Sequence, residues 1–257
     1  MVVAAAPPDL VVRSVTSPQE LDECVHLYEQ VFHLGPGDGS LNTRLLVGIV
    51  RNSGIVVGAF VEGRTIGFAL SFLAFDVEQQ VLYQYSQLAV VAESAQSRGV
   101  GRLLKNAQRD AAQAMGITEM HWAFDPFQVR NAHFNLNVLG ARAVSLERNL
   151  YGTFGHGLDV EQTTDRLLAV WGFTSSPPRV IDPGPSGPLG VATVTGERAT
   201  LVVPAVSDRR PDESQRQRRS EILDAFDELF AHGFAAVSCD LLGEGHAIYA
   251  FERVSSP

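Results

Sequence analysis

The chain holds few of the residues that make disulfide scaffolds or thiolate metal sites. Only two cysteines, Cys24 and Cys239, occur in 257 residues. Two cannot build a disulfide framework, and neither stands in a cluster spaced for a metal, so no metal cofactor is expected. Cys24 falls on the apolar stripe of an expected helix, where a thiol serves as a small hydrophobe. This cysteine usage suits a reducing compartment, and a cytoplasmic location is expected. No apolar run approaches the roughly 20 residues of a membrane-spanning helix. The opening MVVAAAPPDLVV has no basic flank and is interrupted by Pro7, Pro8 and Asp9, so it is not read as a signal peptide. Positive charge is also scarce. Twenty Lys and Arg against 29 Asp and Glu leave a net charge of −9. Such a surface repels phosphate backbones and anionic membranes, which disfavours nucleic acid and membrane as partners and favours a neutral or cationic small molecule. Two phosphate-binding signatures are missing as well. Neither G-x-x-x-x-G-K-[ST] nor G-x-G-x-x-G occurs, which argues against a Walker loop and a Rossmann site.

What is present is ordinary globular material, 45% hydrophobic and 19% charged. The length allows one large domain or two small ones with a real core. Residues 10–15 read as a first strand. Ser17 then offers an N-cap, Pro18 fits the first helical position and Glu20 completes a capping box. Leu21, Cys24, Val25, Tyr28, Val31 and Phe32 recur at helical spacing until Gly35-Pro36-Gly37-Asp38-Gly39 stops the helix. A second helix is expected over 41–51. Strands at 55–62 and 65–75, joined by the turn Glu62-Gly63-Arg64, form a hairpin, and 80–91 is the next strand. Residues 100–115 predict a helix with Leu103, Leu104, Ala107, Ala111 and Met115 inward, ended by Gly116. A strand at 117–124, a helix at 131–139 and strands at 141–149 and 165–173 follow. This order predicts an α+β fold: a mixed, mostly antiparallel sheet flanked by helices.

Residues 174–190 are dense in Pro, Gly and Ser and read as a linker. The expected division is therefore a domain at 1–175, a linker at 176–190 and a small C-terminal α/β extension at 191–257. In the extension, 191–205 reads as one or two strands and 208–219 is strongly charged. A helix with Ile222, Leu223, Phe226, Leu229 and Phe230 on one face ends at Gly233, and strands at 234–241 and 246–253 close the chain. About 70 residues are few for independent stability, so the extension is expected to pack on the main unit or on another subunit, and a homodimer is one such arrangement.

The stretch that carries chemistry is Gln96-Ser97-Arg98-Gly99-Val100-Gly101-Arg102, which follows a strand and opens a helix. Glycines let the backbone approach a ligand and adopt turns closed to other residues. The N–H groups of a helix N-terminus, with its dipole, favour an anion. Arg98 and Arg102 add point charges suited to a diphosphate. Without a ligand, the same stretch would be a tight strand-to-helix turn.

Gln96-x-x-Gly99-x-Gly101 resembles the Q/R-x-x-G-x-G/A signature of the GNAT acyltransferases. Leu88-Ala89-Val90-Val91 resembles the family's fourth strand, and Asn131 to Gly140 resembles its fourth helix, with the closing Leu139-Gly140 pair. The resemblance covers residues 10–173. The run from Phe124-Asp125-Pro126 to Asp165–Trp171 is similar to a bacterial branch of the family that carries a C-terminal extension. The resemblance implies a GNAT-like fold and acetyl-CoA or another acyl-CoA as co-substrate. It also implies that the backbone of Ser97, Arg98, Gly99, Val100, Gly101 and Arg102 holds the diphosphate, with Gln96 in the signature, Val91 on the pantetheine and Asn131 beside the cofactor.

Acyl transfer to an amine needs a base for the amine, a donor for the oxyanion and a hydrogen bond for the leaving thiolate. Two positions depart from the family pattern. Leu136 stands where a tyrosine general acid is often found, and Tyr85 where some members carry a glutamate base. The candidates are then Tyr85, which alternates with Tyr83 and Gln87 on one strand face, and Asp125 at the end of the fifth strand. Their alternatives are a core or rim tyrosine and a turn aspartate before Pro126. His133 and the Asp165-Arg166 pair are weaker candidates, and Tyr151–Gly157 suggests a loop over the acceptor. The expected activity is transfer of an acetyl or other acyl group to a small-molecule amine. The alternative is a degenerate GNAT fold that binds acyl-CoA or a metabolite without turnover.

Overall fold

The computed structural model describes residues 7–35, 41–152, 163–174, 186–205 and 212–254. The chain forms two compact units, residues 1–121 and 122–257. In the first unit the elements are β1 (Val11–Ser14), α1 (Pro18–Val31), α2 (Thr43–Arg51), β2 (Ile55–Val61), β3 (Arg64–Asp76), β4 (Val81–Val91) and α3 (Val100–Ala114). It also takes the start of β5 (Glu119–Phe124). The strands lie in the order β1-β2-β3-β4-β5, antiparallel up to β4 and parallel between β4 and β5.

Local chemistry explains the first elements. The Ser17 side chain accepts the Glu20 N–H and Pro18 follows it, so α1 begins where expected. The capping box is only half made, because the Glu20 carboxylate is held by the Arg13 guanidinium. Glu62 and Gly63, with φ of 49° and 77°, make the two-residue turn between β2 and β3. Leu21, Cys24, Val25 and Leu27 of α1 and Leu46 of α2 pack with Val56, Phe68, Leu70 and Val90 on one face of the strands. Helix α3 covers the other face. A Cβ added to Gly67 would lie 3.2 Å from Leu104, which leaves room for little more than glycine between strand and helix.

The buried stripe of α3 differs from the expected one. Val100, Leu104, Lys105, Gln108 and Ala112 face inward, while Leu103 and Met115 are exposed. The helix is thus turned by about one residue. Its core face includes a lysine and a glutamine, which a hydrophobic pattern does not count as buried.

The second unit contains α4 (Val129–His133), continued by a π-turn over Phe134–Val138. Then come β6 (Arg142–Glu147), β7 (Arg166–Gly172), β8 (Ala192–Thr195), β9 (Arg198–Pro204), α5 (Glu213–Ala231), β10 (Phe234–Gly243) and β11 (His246–Arg253). Its strands run β7-β6-β10-β11-β9-β8, antiparallel at each of these neighbours. The division between the units falls inside β5. Residues 191–257 belong to one unit with β6 and β7, because β10 joins β6 at Ala236↔Ala143. Most of the expected linker (175–185), residues 36–39 of the helix stop, 153–157 of the acceptor loop and 208–211 of the charged stretch lie outside the described residues.

On α5, Ile222, Leu223, Phe226 and Leu229 are buried as their spacing predicts. Phe226 meets Tyr249 edge to face, with ring centres 5.0 Å apart. Tyr249 is fully enclosed and donates its hydroxyl to Pro126 O at 2.7 Å. Both cysteines are free and buried, and loss of hydration pushes each thiol up to about 12.

Candidate acyl-CoA site

The first-unit candidates stand on β4 and the turn into α3. Leu88 pairs with Leu70 and Ser86 with Ser71, so Gln87 is an extra residue, a β-bulge. A bulge bends its strand and frees a backbone group from the ladder. On the other edge of β4, the pairs with β5 are Gln84↔Met120 and Tyr85↔His121. On the β3 side the ladder continues to Val91, opposite Gly67. From the bulge onward, β4 is therefore zipped to β3 alone among the described first-unit strands.

The segment after β4 is shaped as the sequence requires. A short 3₁₀ turn (Glu93–Ala95) leads to Gln96, whose amide donates to Val91 O at 3.1 Å. Ser97 and Gly99 take left-handed backbone, φ 60° and 79°. Gly99 is the N-cap of α3, and Leu103 makes the first helical bond, to Gly99 O at 3.1 Å. The N–H groups of Val100, Gly101 and Arg102 precede that bond in the first turn, where a helix has no acceptor of its own to offer them. Gln96, Ser97, Arg98, Gly99 and Arg102 are all exposed and Val91 is half-buried. Val91, Gln96, Ser97, Arg98, Gly99, Val100, Gly101 and Arg102 thus lie along one segment of the first unit, from the end of β4 to the first turn of α3.

Tyr85 also lies in the first unit. It is half-buried and packs on Phe72, with ring centres 5.4 Å apart. Phe72 shares its strand face with Phe68 and Leu70, so Tyr85 stands on the α1–α2 side, opposite Ser86. Tyr83 is stacked on His121 at 4.0 Å, and His121 in turn holds Glu119 at 2.9 Å.

The remaining candidates belong to the second unit. Asp125 accepts the Phe127 N–H at 2.8 Å and lies 3.6 Å from Arg219 of α5. Arg219 also reaches Asp165 at 3.9 Å and lies over the Phe127 ring at 4.2 Å. The Asp125 carboxylate therefore holds a turn and an ion pair. Asp165 in addition accepts the Asn149 N–H at 3.1 Å and the Thr163 hydroxyl at 2.8 Å. Asn131 is exposed on α4. The His133 ring sits 2.9 Å from Cys239 O, so this helix is bound to β10. Leu136 is 1% exposed, within the π-turn. The C-terminal segment has a cavity of about 490 Å³ against α5, with Glu221, Asp224 and Glu228 on one wall. Among the described residues no His, Cys, Asp and Glu group could hold a metal, and no helix is long and apolar enough to cross a membrane.

No family model and no curated protein matches the chain. Solved structures do. A GNAT-family protein from Desulfovibrio desulfuricans aligns with a TM-score of 0.52 at 14% identity, over 64% of this chain and 99% of its own. An acetyltransferase of the GNAT family from Streptococcus pneumoniae aligns at 0.50 and 16%, over 63% and 98%. The yncA protein of Salmonella typhimurium, solved with its cofactor acetyl-CoA, aligns at 0.50 and 16%, over 67% and 99%. The fold is the GNAT fold. Within it, the Gln96–Arg102 turn lies between β4 and α3.

Sequence reasoning missed two groups. Lys105 and Gln108 carry no signal in the sequence, because the apolar residues of α3 suggest a different stripe. Arg219 lay in a charged run read only as such, and its partners are more than 50 residues away.

Proposed function

We propose that the protein is an acyl-CoA-dependent acyltransferase that moves an acetyl or other acyl group to the amine of a small molecule. One observation carries the reading: α3, the next long element after a bulged β4, opens on a left-handed Gly99 cap. Amides in the first turn of a helix, with Arg98 and Arg102 beside them, suit a diphosphate. The free edge of β4 near Val91 suits an amide-bearing arm such as pantetheine. Asn131 is assigned to the cofactor on the resemblance alone.

In the transfer the amine nitrogen forms a bond to the acyl carbon, the carbon–sulfur bond breaks, and the proton lost by the amine balances the thiolate that leaves. A thiol of pKa about 8.5 leaves without a strong acid, which fits a buried Leu136 at the usual tyrosine position. Tyr85 is the side chain proposed for the acceptor half. Asp125 is given the role that its contacts support, holding the 125–128 turn and Arg219.

Calorimetric titration with acetyl-CoA, followed by a screen of amines for thiol release, tests the proposal. Binding with turnover on at least one amine is expected. Gly101→Glu should abolish binding by steric and charge conflict with the diphosphate, and unchanged affinity would remove the site. Binding without thiol release across a broad amine panel would favour a non-catalytic acyl-CoA sensor.

A further inference from the structure

Between α3 and the strands lies a buried polar cluster that neither the core nor the proposed chemistry accounts for. Lys105 Nζ donates to Ser86 Oγ at 2.7 Å, and the Ser86 hydroxyl donates to Gln108 Oε1 at 3.1 Å. Lys105 is 4% exposed, Ser86 5% and Gln108 fully enclosed. Ser71 is directly opposite Ser86 and Gln84 is on the same strand face, both fully enclosed. Ser71 Oγ, Gln84 Oε1 and Gln108 Nε2 find no partner among the described residues. An apolar core would be cheaper than a network this incompletely satisfied.

Lys105 is also the sole lysine of the chain, every other basic side chain of that class being arginine. Arginine does not give up its proton in proteins, whereas a buried lysine does. Loss of hydration lowers the Lys105 ammonium to about 7.

The cluster sits at a strategic place in the chain. Ser86 is the residue before the bulge at Gln87, and Lys105 lies in the second turn of α3. Their hydrogen bond closes a span of 19 residues that contains Val91 and all of Gln96–Arg102. We infer that Lys105 and Ser86 form a proton-controlled clasp between α3 and β4, through which the affinity of the acyl-CoA site follows the protonation state of Lys105. Lys105 is a positioning residue, acting through the two elements it joins. The inference rests on the acyl-CoA reading of the Gln96–Arg102 turn.

The other groups around the clasp are mostly uncharged. β4 and β3 present Gln84, Ser86 and Ser71 on this face, and β2 has no titratable side chain. The titratable residues of β3, Arg64 and Asp76, stand at its two ends. Tyr83 and Tyr85 alternate to the opposite face of β4. Arg13 of β1 is held by Glu20, Glu119 of β5 by His121, and Arg109 of α3 by Asp110. Protonating Lys105 therefore places a charge in a poorly hydrated seam and favours an opened arrangement, while the neutral amine lets α3 seat on β4.

A single lysine makes the test direct. In protein labelled with carbon-13 lysine, Lys105 gives the one lysine side-chain signal, and its titration is followed with and without acetyl-3′-dephospho-CoA. That probe lacks the ribose phosphate that would itself titrate near neutrality. The expected result is a midpoint near 7 that moves lower when the probe is bound. Calorimetric affinity should be about tenfold weaker at pH 6 than at pH 8, as follows if only the neutral form is competent. Lys105→Met, close in shape and without charge, should bind at pH 8 and lose that pH dependence. Ser86→Ala, a second variant, should move the midpoint below that of the wild type. Binding with an unchanged Lys105 midpoint, or a pH profile that survives in Lys105→Met, overturns the clasp and leaves the acyl-CoA reading standing. Failure of the wild type to bind acetyl-CoA at either pH overturns both.

Discussion

The guanidinium of Arg219 on α5 stands 3.6 Å from the carboxylate of Asp125, the residue that follows β5. One cation from the C-terminal segment thus serves Asp125 and Asp165, with 15% of its side chain exposed. Removing it leaves two largely enclosed carboxylates with less compensation. Arg219→Ala is expected to lower stability by about 2 kcal/mol, measured by urea unfolding. Asp125→Asn keeps an oxygen for the Phe127 N–H and loses only the ion pair, so about 1 kcal/mol is expected. If turnover is observed, that variant should retain kcat/KM within a few-fold. A loss of about a hundredfold or more would mark Asp125 as a base.

Tyr85 should behave differently. Its ring packs on Phe72, and that packing survives in Tyr85→Phe. If the hydroxyl serves the acceptor half, Tyr85→Phe lowers kcat about tenfold or more, with little change in acetyl-CoA affinity or unfolding midpoint. Unchanged kcat would reduce Tyr85 to a rim residue.

The Lys105 shift has a stability consequence of definite sign. Its folded value, about 7, lies below the roughly 10.4 of an unfolded chain. Between those values the unfolded chain binds one more proton than the native state, so stability rises with pH across that window. The slope is about 1.4 kcal/mol per pH unit, and below pH 7 this contribution is flat. Lys105→Met should abolish that slope and be relatively more stable at pH 6 than at pH 10. Equal slopes in the two proteins would contradict the buried-lysine assignment.

Gly99→Ala isolates backbone strain. Gly99 has φ 79°, and a Cβ there would meet nothing within 4 Å. The cost is conformational and should be about 1 kcal/mol, measured by thermal unfolding. Gly99→Asn should cost less, since asparagine tolerates left-handed backbone better than alanine does.

Asn137 ties the π-turn to β10. Its amide donates to both Asp240 carboxylate oxygens at 3.0 Å and its carbonyl accepts the Cys239 N–H at 2.8 Å. Asn137→Ala should therefore cost about 2 kcal/mol in urea unfolding, and Asp240→Asn clearly less.

The sequence alone determined the features whose causes are local. Ser17 and Pro18 start α1, Glu62-Gly63 turns β2 into β3, Gly99 caps α3 and Gly233 ends α5. Each follows from backbone chemistry within a few residues of its cause. The Gln96–Arg102 turn was legible for the same reason. Tertiary structure decided the rest. Which face of α3 is buried depends on where the strands present Ser71, Gln84 and Ser86, so the lysine in that face could not be read from its own helix. That Arg219 meets Asp125, and Asn137 meets Asp240, depends on strands pairing across roughly a hundred residues of chain. Such meetings are settled by how the whole sheet packs, because a polar side chain enters a core only where a distant element supplies its partner.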